Sequence, residues 1–201
     1  MSTTERVVAA SLRCLARTGL RGMTVDDVAA EAGVSRATLY RACPGGRDTI
    51  LAAVVEAELA RLLGAVRDAT ERATDLRGAL VAGLHAAAVW LHGHEVLERL
   101  MFDEPATLLT HLEFEQMDRT LAALSARLAP MLERFVDAGL AERVGEWTVR
   151  IAVSYLLFPD DVDLCRRPDV TRLVDRYVLP GAAAAAAAEV RRGETVSTNL
   201  S

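Results

Sequence analysis

The chain has 201 residues, of which 51% are hydrophobic and 4% aromatic, with six prolines, three cysteines and a formal net charge of -5. That length can bury a real core, and the Ala- and Leu-rich balance with few clustered β-branched residues points to an all-α protein. Overall acidity excludes a surface coated in positive charge for nucleic acid. The scattered cysteines exclude a disulfide framework, and no apolar stretch approaches the ~18 residues of a membrane span, so a soluble cytoplasmic protein is expected.

The charge is unevenly spread. All 23 basic residues are arginine; seven of them fall in residues 1–50 against five acids, whereas the remaining 151 residues carry 16 against 23. The only positive surplus is N-terminal.

In chain order, a first helix is predicted from about residue 4 to 18, because Val8, Leu12 and Leu15 recur at helical spacing and Gly19 stands where a left-handed C-cap belongs. Thr24 reads as the N-cap of a second helix, with Asp27 as a short capping-box acid and Met23 stapled to Val28. That helix spans Val25–Ala32 and stops at Gly33. Ser35 then caps a third helix, which must end before Pro44. Pro44-Gly45-Gly46 is a turn, and Arg47 opens a long helix carried by Leu51, Val55, Leu59, Leu62 and Val66. With no flexible linker after it, the second domain is expected to begin inside this connector, giving domains 1–46 and 47–181. Further helices are predicted at 75–92, 96–102 and 108–137, the last bent at Pro130. Gly139 and Gly145 bracket a loop, and two closing helices occupy 147–158 and 170–179. The alanine run at 182–188 and the polar end of the chain read as a low-complexity, disordered tail, 182–201.

Two short helices joined by a tight glycine turn form a helix-turn-helix pattern, whose second helix lies in the DNA major groove. At 100° per residue, Leu39 and Cys43 of the third helix face the core, Ala37, Tyr40 and Arg41 face outward, and Arg36 and Thr38 flank them. Arginine can bridge two guanine acceptors, the Ala and Thr methyls can meet a thymine methyl, and Ser, Thr and Tyr hydroxyls can bond phosphates. The start of the helix, Ser35 to Thr38, favours an anion, and Thr24 offers a second such contact.

The run Thr24-Val25-Asp26-Asp27-Val28-Ala29-Ala30-Glu31-Ala32-Gly33-Val34-Ser35-Arg36-Ala37-Thr38-Leu39-Tyr40 resembles the DNA-binding motif of the TetR family of transcriptional regulators, and the likeness extends over residues 4–60. Family members carry a His or Tyr and then a Phe within three residues of that tyrosine, and a Lys that touches phosphate at the start of the next helix. This chain has Ala42, Cys43 and Arg47 there. Segments beginning at His94 and Val149 resemble actinobacterial members in particular. The resemblance implies a repressor that binds a palindromic DNA operator, with Thr24, Ser35, Arg36, Ala37, Thr38, Tyr40, Arg41 and Arg47 at the DNA. It also implies a homodimer formed through helices 147–158 and 170–179, and release by a small-molecule effector. Symmetry supports the dimer independently, since one short recognition helix reads too few base pairs and dimers meet half-sites about 34–36 Å apart.

An effector pocket between bundle helices should be largely apolar. Leu84, His85, Trp90, Met101, Phe102, His111, Phe114, Met117, Tyr155 and Phe158 are the candidates, and a lipophilic or aromatic effector is expected. His92-Gly93-His94 lacks a third metal ligand, and no cofactor is expected. Cys43 reads as a small buried side chain rather than an oxidant sensor, and the acidic run Asp160 to Asp163 as a solvated loop. No phosphate loop or nucleophile with a base is present in the sequence, so an enzyme is not expected. The alternative is a ligand-binding or protein-docking dimer whose helix-turn-helix is idle.

Overall fold

The structure is a computed structural model that describes residues 1–98, 114–157, 161–185 and 187, the side chains of 114–120 and 157 excepted. Regular structure among these residues is helical: α1 (Thr3–Gly22), α2 (Val25–Ala32), α3 (Arg36–Ala42), α4 (Arg47–Thr70), α5 (Leu76–His92), α6 (Glu95–Glu98), α7 (Phe114–Leu132), α8 (Ala138–Leu157) and α9 (Arg167–Leu173), which runs into a π-helical turn at Val174–Val178. No described helix is long and apolar enough to cross a membrane.

The chain divides into two compact units. The first holds Met1–Gly64 and the segment that begins at Trp90; the second holds Ala65–Val89 and the described residues from Phe114 onward. The division therefore falls inside α4 and returns inside α5.

In the first unit, α1 begins at Thr3, close to the expected start, behind a full capping box. Ser2 Oγ accepts the Glu5 N–H at 3.1 Å, and Glu5 accepts the Ser2 N–H at 2.7 Å. Two orphan donors of the first turn are thereby satisfied. Gly19 ends the regular helix, but at φ 70 and ψ 179 it is extended rather than left-handed helical. Only glycine adopts that conformation freely. The chain then makes one more turn, to Gly22, which brings Leu20 into the core. Val7, Cys14, Met23, Val28, Leu39, Cys43 and Ile50 form that core, each with at most 2% of its surface exposed, and Val96 of α6 joins it.

Near the end of α5, His94 serves α6 and α4 together. Its Nδ1 accepts the Leu97 N–H at 3.4 Å, while its Nε2 stands 3.0 Å from Oε2 of the buried Glu58. That Glu58 oxygen has no hydrogen-bond partner among the described residues. The other Glu58 oxygen takes Arg61. His92 is exposed.

In the second unit the expected loop between Gly139 and Gly145 is absent: α8 runs unbroken through both glycines. A Cβ at Gly145 would lie 3.6 Å from the Ser125 carbonyl oxygen and 3.8 Å from the Ala129 nitrogen of α7. A Cβ there would make ordinary van der Waals contact with α7, so the glycine sits inside a packed helix and marks no turn. Pro130 lies in the last turn of α7, which ends at Leu132 instead of near 137. The Arg134 guanidinium then donates to the Glu71 and Ala73 carbonyls at 3.2 and 2.9 Å and to that of Thr70. A cation thus gathers carbonyls at and just beyond the C-terminus of α4.

Arg77 and Asp175 pair through two parallel bonds of 2.6 and 2.7 Å. That fork raises the arginine's affinity for its proton and lowers the aspartate's. After the π-helical turn, helix continues over 179–185, with Ala182 buried. The alanine run thus opens as helix, as the best helix former should when its neighbours are helical. The rest of the expected tail lies outside the described residues, 187 excepted.

The energetic centre of the first unit is testable at one position. Leu39 has no exposed surface, so Leu39→Ala should lower unfolding free energy by about 2–5 kcal/mol in urea denaturation. A loss below about 1 kcal/mol would contradict the packing described.

Candidate nucleic-acid interface

α3 is only seven residues long, and such a helix has no independent stability. Three local devices hold it. Gly33 takes the left-handed conformation, φ 64 and ψ 39, with its N–H turned back to the α2 carbonyls, and the Val34 N–H closes on Ala29 O at 3.0 Å. Ser35 Oγ accepts the Thr38 N–H at 3.1 Å. Leu39 and Cys43 then anchor the helix in the core. Burial raises the Cys43 thiol's pKa, so this cysteine is packing and not a ready nucleophile.

A further tie was not legible in the sequence. Arg6 of α1 donates through Nη2 to Ala32 O at 2.7 Å and Gly33 O at 3.1 Å, clasping the turn between the two helices from 26 residues away. Beside it, Arg13 and Arg17 converge on Glu31 of α2 at 2.6 and 3.4 Å. Those two hydrogen bonds hold the Glu31 carboxyl below the usual carboxylate range.

With α3 fixed this way, Ser35, Arg36, Ala37, Tyr40 and Arg41 are exposed, Thr38 is half-buried, and Leu39 is buried. This matches the face read from helical periodicity. Tyr40 lies against the following turn: a Cβ on Gly46, which has φ +62, would meet its Cε1 at 3.4 Å. With no aromatic at Ala42 or Cys43, the ring of Tyr40 is the one that lies against this turn.

The polar groups are not equally free. Ser35 and Thr38 hydroxyls lie 2.9 Å apart; that bond uses one proton and leaves the other to donate. Thr24 Oγ1 accepts the Asp27 N–H and sits 2.5 Å from Asp27 Oδ2. An ionised carboxylate only accepts, so the Thr24 proton is spent inside the protein. The acid of this expected capping box thus holds the hydroxyl, not the Thr24 backbone N–H. Arg47 is half-buried and donates to the Leu20 carbonyl, tying the start of α4 to the end of α1. Arg36 forms an ion pair with Asp26 of α2.

Of the seven N-terminal arginines, Arg21 and Arg41 alone are left without an internal partner among the described residues, and both are exposed. Arg21 carried no motif that singled it out. It lies in the extra turn after Gly19, three residues before the α2 cap. Chemically, the α3 face offers the free Arg41 guanidinium, a second guanidinium in a weak exposed pair at Arg36, hydroxyl donors and an alanine methyl. That inventory suits a phosphate backbone and base edges.

The effector candidates are more dispersed. Leu84 is buried and Tyr155 half-buried in the second unit. His85 Nε2 lies 3.1 Å from the Cys165 carbonyl oxygen, a structural bond within that unit. Trp90 belongs to the first unit, its ring 5.2 Å from that of His94. Phe114 and Met117 fall on α7 with their side chains outside the description, and Met101, Phe102, His111 and Phe158 lie outside the described residues.

Residues 7–54 match the profile of bacterial regulatory proteins of the tetR family. An uncharacterised HTH-type transcriptional regulator of Mycobacterium bovis is 30% identical over 163 residues, which span 80% of this chain and 84% of that one. Among solved structures, the TetR family repressor AlkX from Dietzia sp. superposes with a TM-score of 0.66 at 23% identity, covering 89% of this chain and 96% of its own. The fatty acid degradation regulator FadR from Bacillus halodurans superposes at 0.56 and 18% identity, covering 89% and 97%. These likenesses bear out the all-helical, two-part architecture.

The Glu31 bridge can be checked by titration. Its lowered pKa stabilises the fold above the ordinary glutamate range, and that contribution is lost as pH falls through the depressed value. Replacing both Arg13 and Arg17 by Met should return the Glu31 side chain, followed by carbon NMR, toward the ordinary range. An unmoved titration would mean the arginines are not its cause.

Proposed function

Since the chain belongs to the TetR family of bacterial regulatory proteins, whose helix-turn-helix binds DNA, we propose that it is a homodimeric repressor of a palindromic operator, released by a small lipophilic or aromatic effector. The observation that carries this reading is the solvent face of α3. Its buried residues, Leu39 and Cys43, fix the rotation that leaves Ser35, Arg36, Ala37, Tyr40 and Arg41 outside. Ser35, Thr38 and Tyr40 hydroxyls and the Arg41 guanidinium then serve phosphates, and Arg36 serves a base edge. Thr24 and Arg47 would reach phosphate only by giving up or sharing their internal bonds.

Support for the dimer comes from the second unit. Trp147 and Tyr177 are 51% and 44% exposed, on the two stretches expected to pair, and the Trp147 Nε1 donates to the Tyr177 carbonyl at 3.0 Å. Aromatic side chains left at a surface are characteristic anchors of protein interfaces. For the effector, the support is compositional. Leu84 is buried and Tyr155 half-buried within the second unit, while of the structural relatives AlkX is implicated in biodegradation of n-alkanes and FadR regulates fatty acid degradation.

Release requires the effector to bind the DNA-free arrangement better than the DNA-bound one, since a ligand shifts a population only by its differential affinity. α4 is one continuous helix from Arg47 to Thr70, and it is the element through which such a difference would be transmitted.

The reading is tested by fluorescence anisotropy on the DNA upstream of the chain's own gene. Specific binding that weakens on adding a fatty acyl or aromatic effector supports it; equal affinity with saturating effector contradicts release, and no binding at moderate salt leaves an idle helix-turn-helix. Arg41→Ala should weaken binding evenly across sequences and reduce the salt slope by about 1 per half-site. Trp147→Arg should shift the sedimenting species from dimer to monomer; an unchanged dimer would move the interface elsewhere.

A further inference from the structure

Asp26 stands in the first turn of α2, where its charge favours the helix dipole but caps no backbone donor. The N-cap of α2 is Thr24, the acid that answers it is Asp27, and the sole partner of Asp26 among the described residues is Arg36. The two residues come from different helices, ten positions apart, and meet at the outer edge of the α3 face. Their side chains are 70% and 55% exposed, and they pair through one guanidinium nitrogen and one carboxylate oxygen. The remaining guanidinium donors are left for another acceptor.

What that acceptor can be follows from charge. A guanine edge presents two neutral acceptors, O6 and N7, which can take free N–H groups while the carboxylate stays in place. A phosphate carries a full negative charge and would have to be brought beside the Asp26 carboxylate or displace it. The pair therefore favours a base edge over the backbone as the partner of Arg36. It also biases an otherwise long, freely rotating side chain toward one orientation, lowering the entropy lost on contact.

We propose that Asp26 is a positioning residue for sequence readout: it aims the Arg36 guanidinium at a guanine in each half-site and suppresses its use as a general phosphate anchor. The proposal rests on the DNA-binding reading above. Asp26 raises the ratio of specific to non-specific affinity from both sides, strengthening one contact and penalising the other.

The test uses the full-length chain. Wild type first enriches a motif from a pool of randomised duplexes, and the affinities of wild type, Asp26→Asn, Asp26→Glu, Arg36→Ala and the Asp26→Asn/Arg36→Ala double variant are then measured. Each is measured on the enriched duplex and on a scrambled duplex of equal length at the same salt, with thermal melting to verify folding. Asp26→Asn should bind the scrambled duplex more tightly while its specificity ratio falls about tenfold, and the guanine preference should flatten at one position per half-site. Asp26→Glu should restore part of the ratio, and the double variant should lose no more of it than Arg36→Ala alone. An unchanged ratio in Asp26→Asn, or equal tightening on both duplexes, would overturn the proposal, because Asp26 would then be a bystander charge. If Asp26→Asn and Arg36→Ala act additively, the two residues work separately and the proposal also falls. Failure of the wild type to enrich any motif would remove the DNA-binding reading and this inference with it. That result is distinct from a motif that the variants read equally well.

Discussion

The burial of Leu39 is the constraint on which the DNA-facing surface depends. A seven-residue helix gains little from its own hydrogen bonds, and its orientation is set by what it drives into the core. Leu39 has no exposed surface and Cys43 has 1%. Rotating α3 to expose either would forfeit that apolar burial and bring Arg36 or Arg41 toward the core unpaired, a costly exchange. The exposed residues are thus chosen by the buried ones.

Around that anchor the arginines of the first unit divide into three kinds. Arg6 and Arg47 bind backbone carbonyls of α1, α2 and the turn after α2, so they assemble the unit. Arg13 and Arg17 bridge α1 to Glu31. Arg21 and Arg41 face water without internal partners, and Arg36 stands between the classes in its exposed pair with Asp26. The N-terminal surplus of positive charge is therefore smaller, as a resource for DNA, than a count of arginines suggests. Local placement decides, which fits a chain whose net charge is negative.

Much of this was legible beforehand. Caps and glycines located α2 and α3 because their signals are short-range: Thr24, Gly33 and Ser35 act within three or four residues, and helical periodicity sorted Leu39 from Tyr40 and Arg41. Ser2 and Glu5 were a readable capping box that the apolar spacing starting at Val8 overshadowed. Gly139 and Gly145 misled because a glycine that marks a turn and one that lies inside a packed helix look alike in one dimension. The contact with Ser125 and Ala129 that distinguishes them is made across two helices. For the same reason the Arg6 clasp and the Asp26–Arg36 pair escaped notice, since their partners lie 26 and 10 residues away on other elements.

The central claim is that this chain meets DNA through the outer face of α3. Hydrogen–deuterium exchange of the full-length protein, free and bound to a duplex it selects, tests it most directly. The account expects slowed exchange concentrated in Ser35 to Arg41 and the turn around Gly46. Slowing confined to the second unit, or none in α3 at saturating duplex, would contradict it.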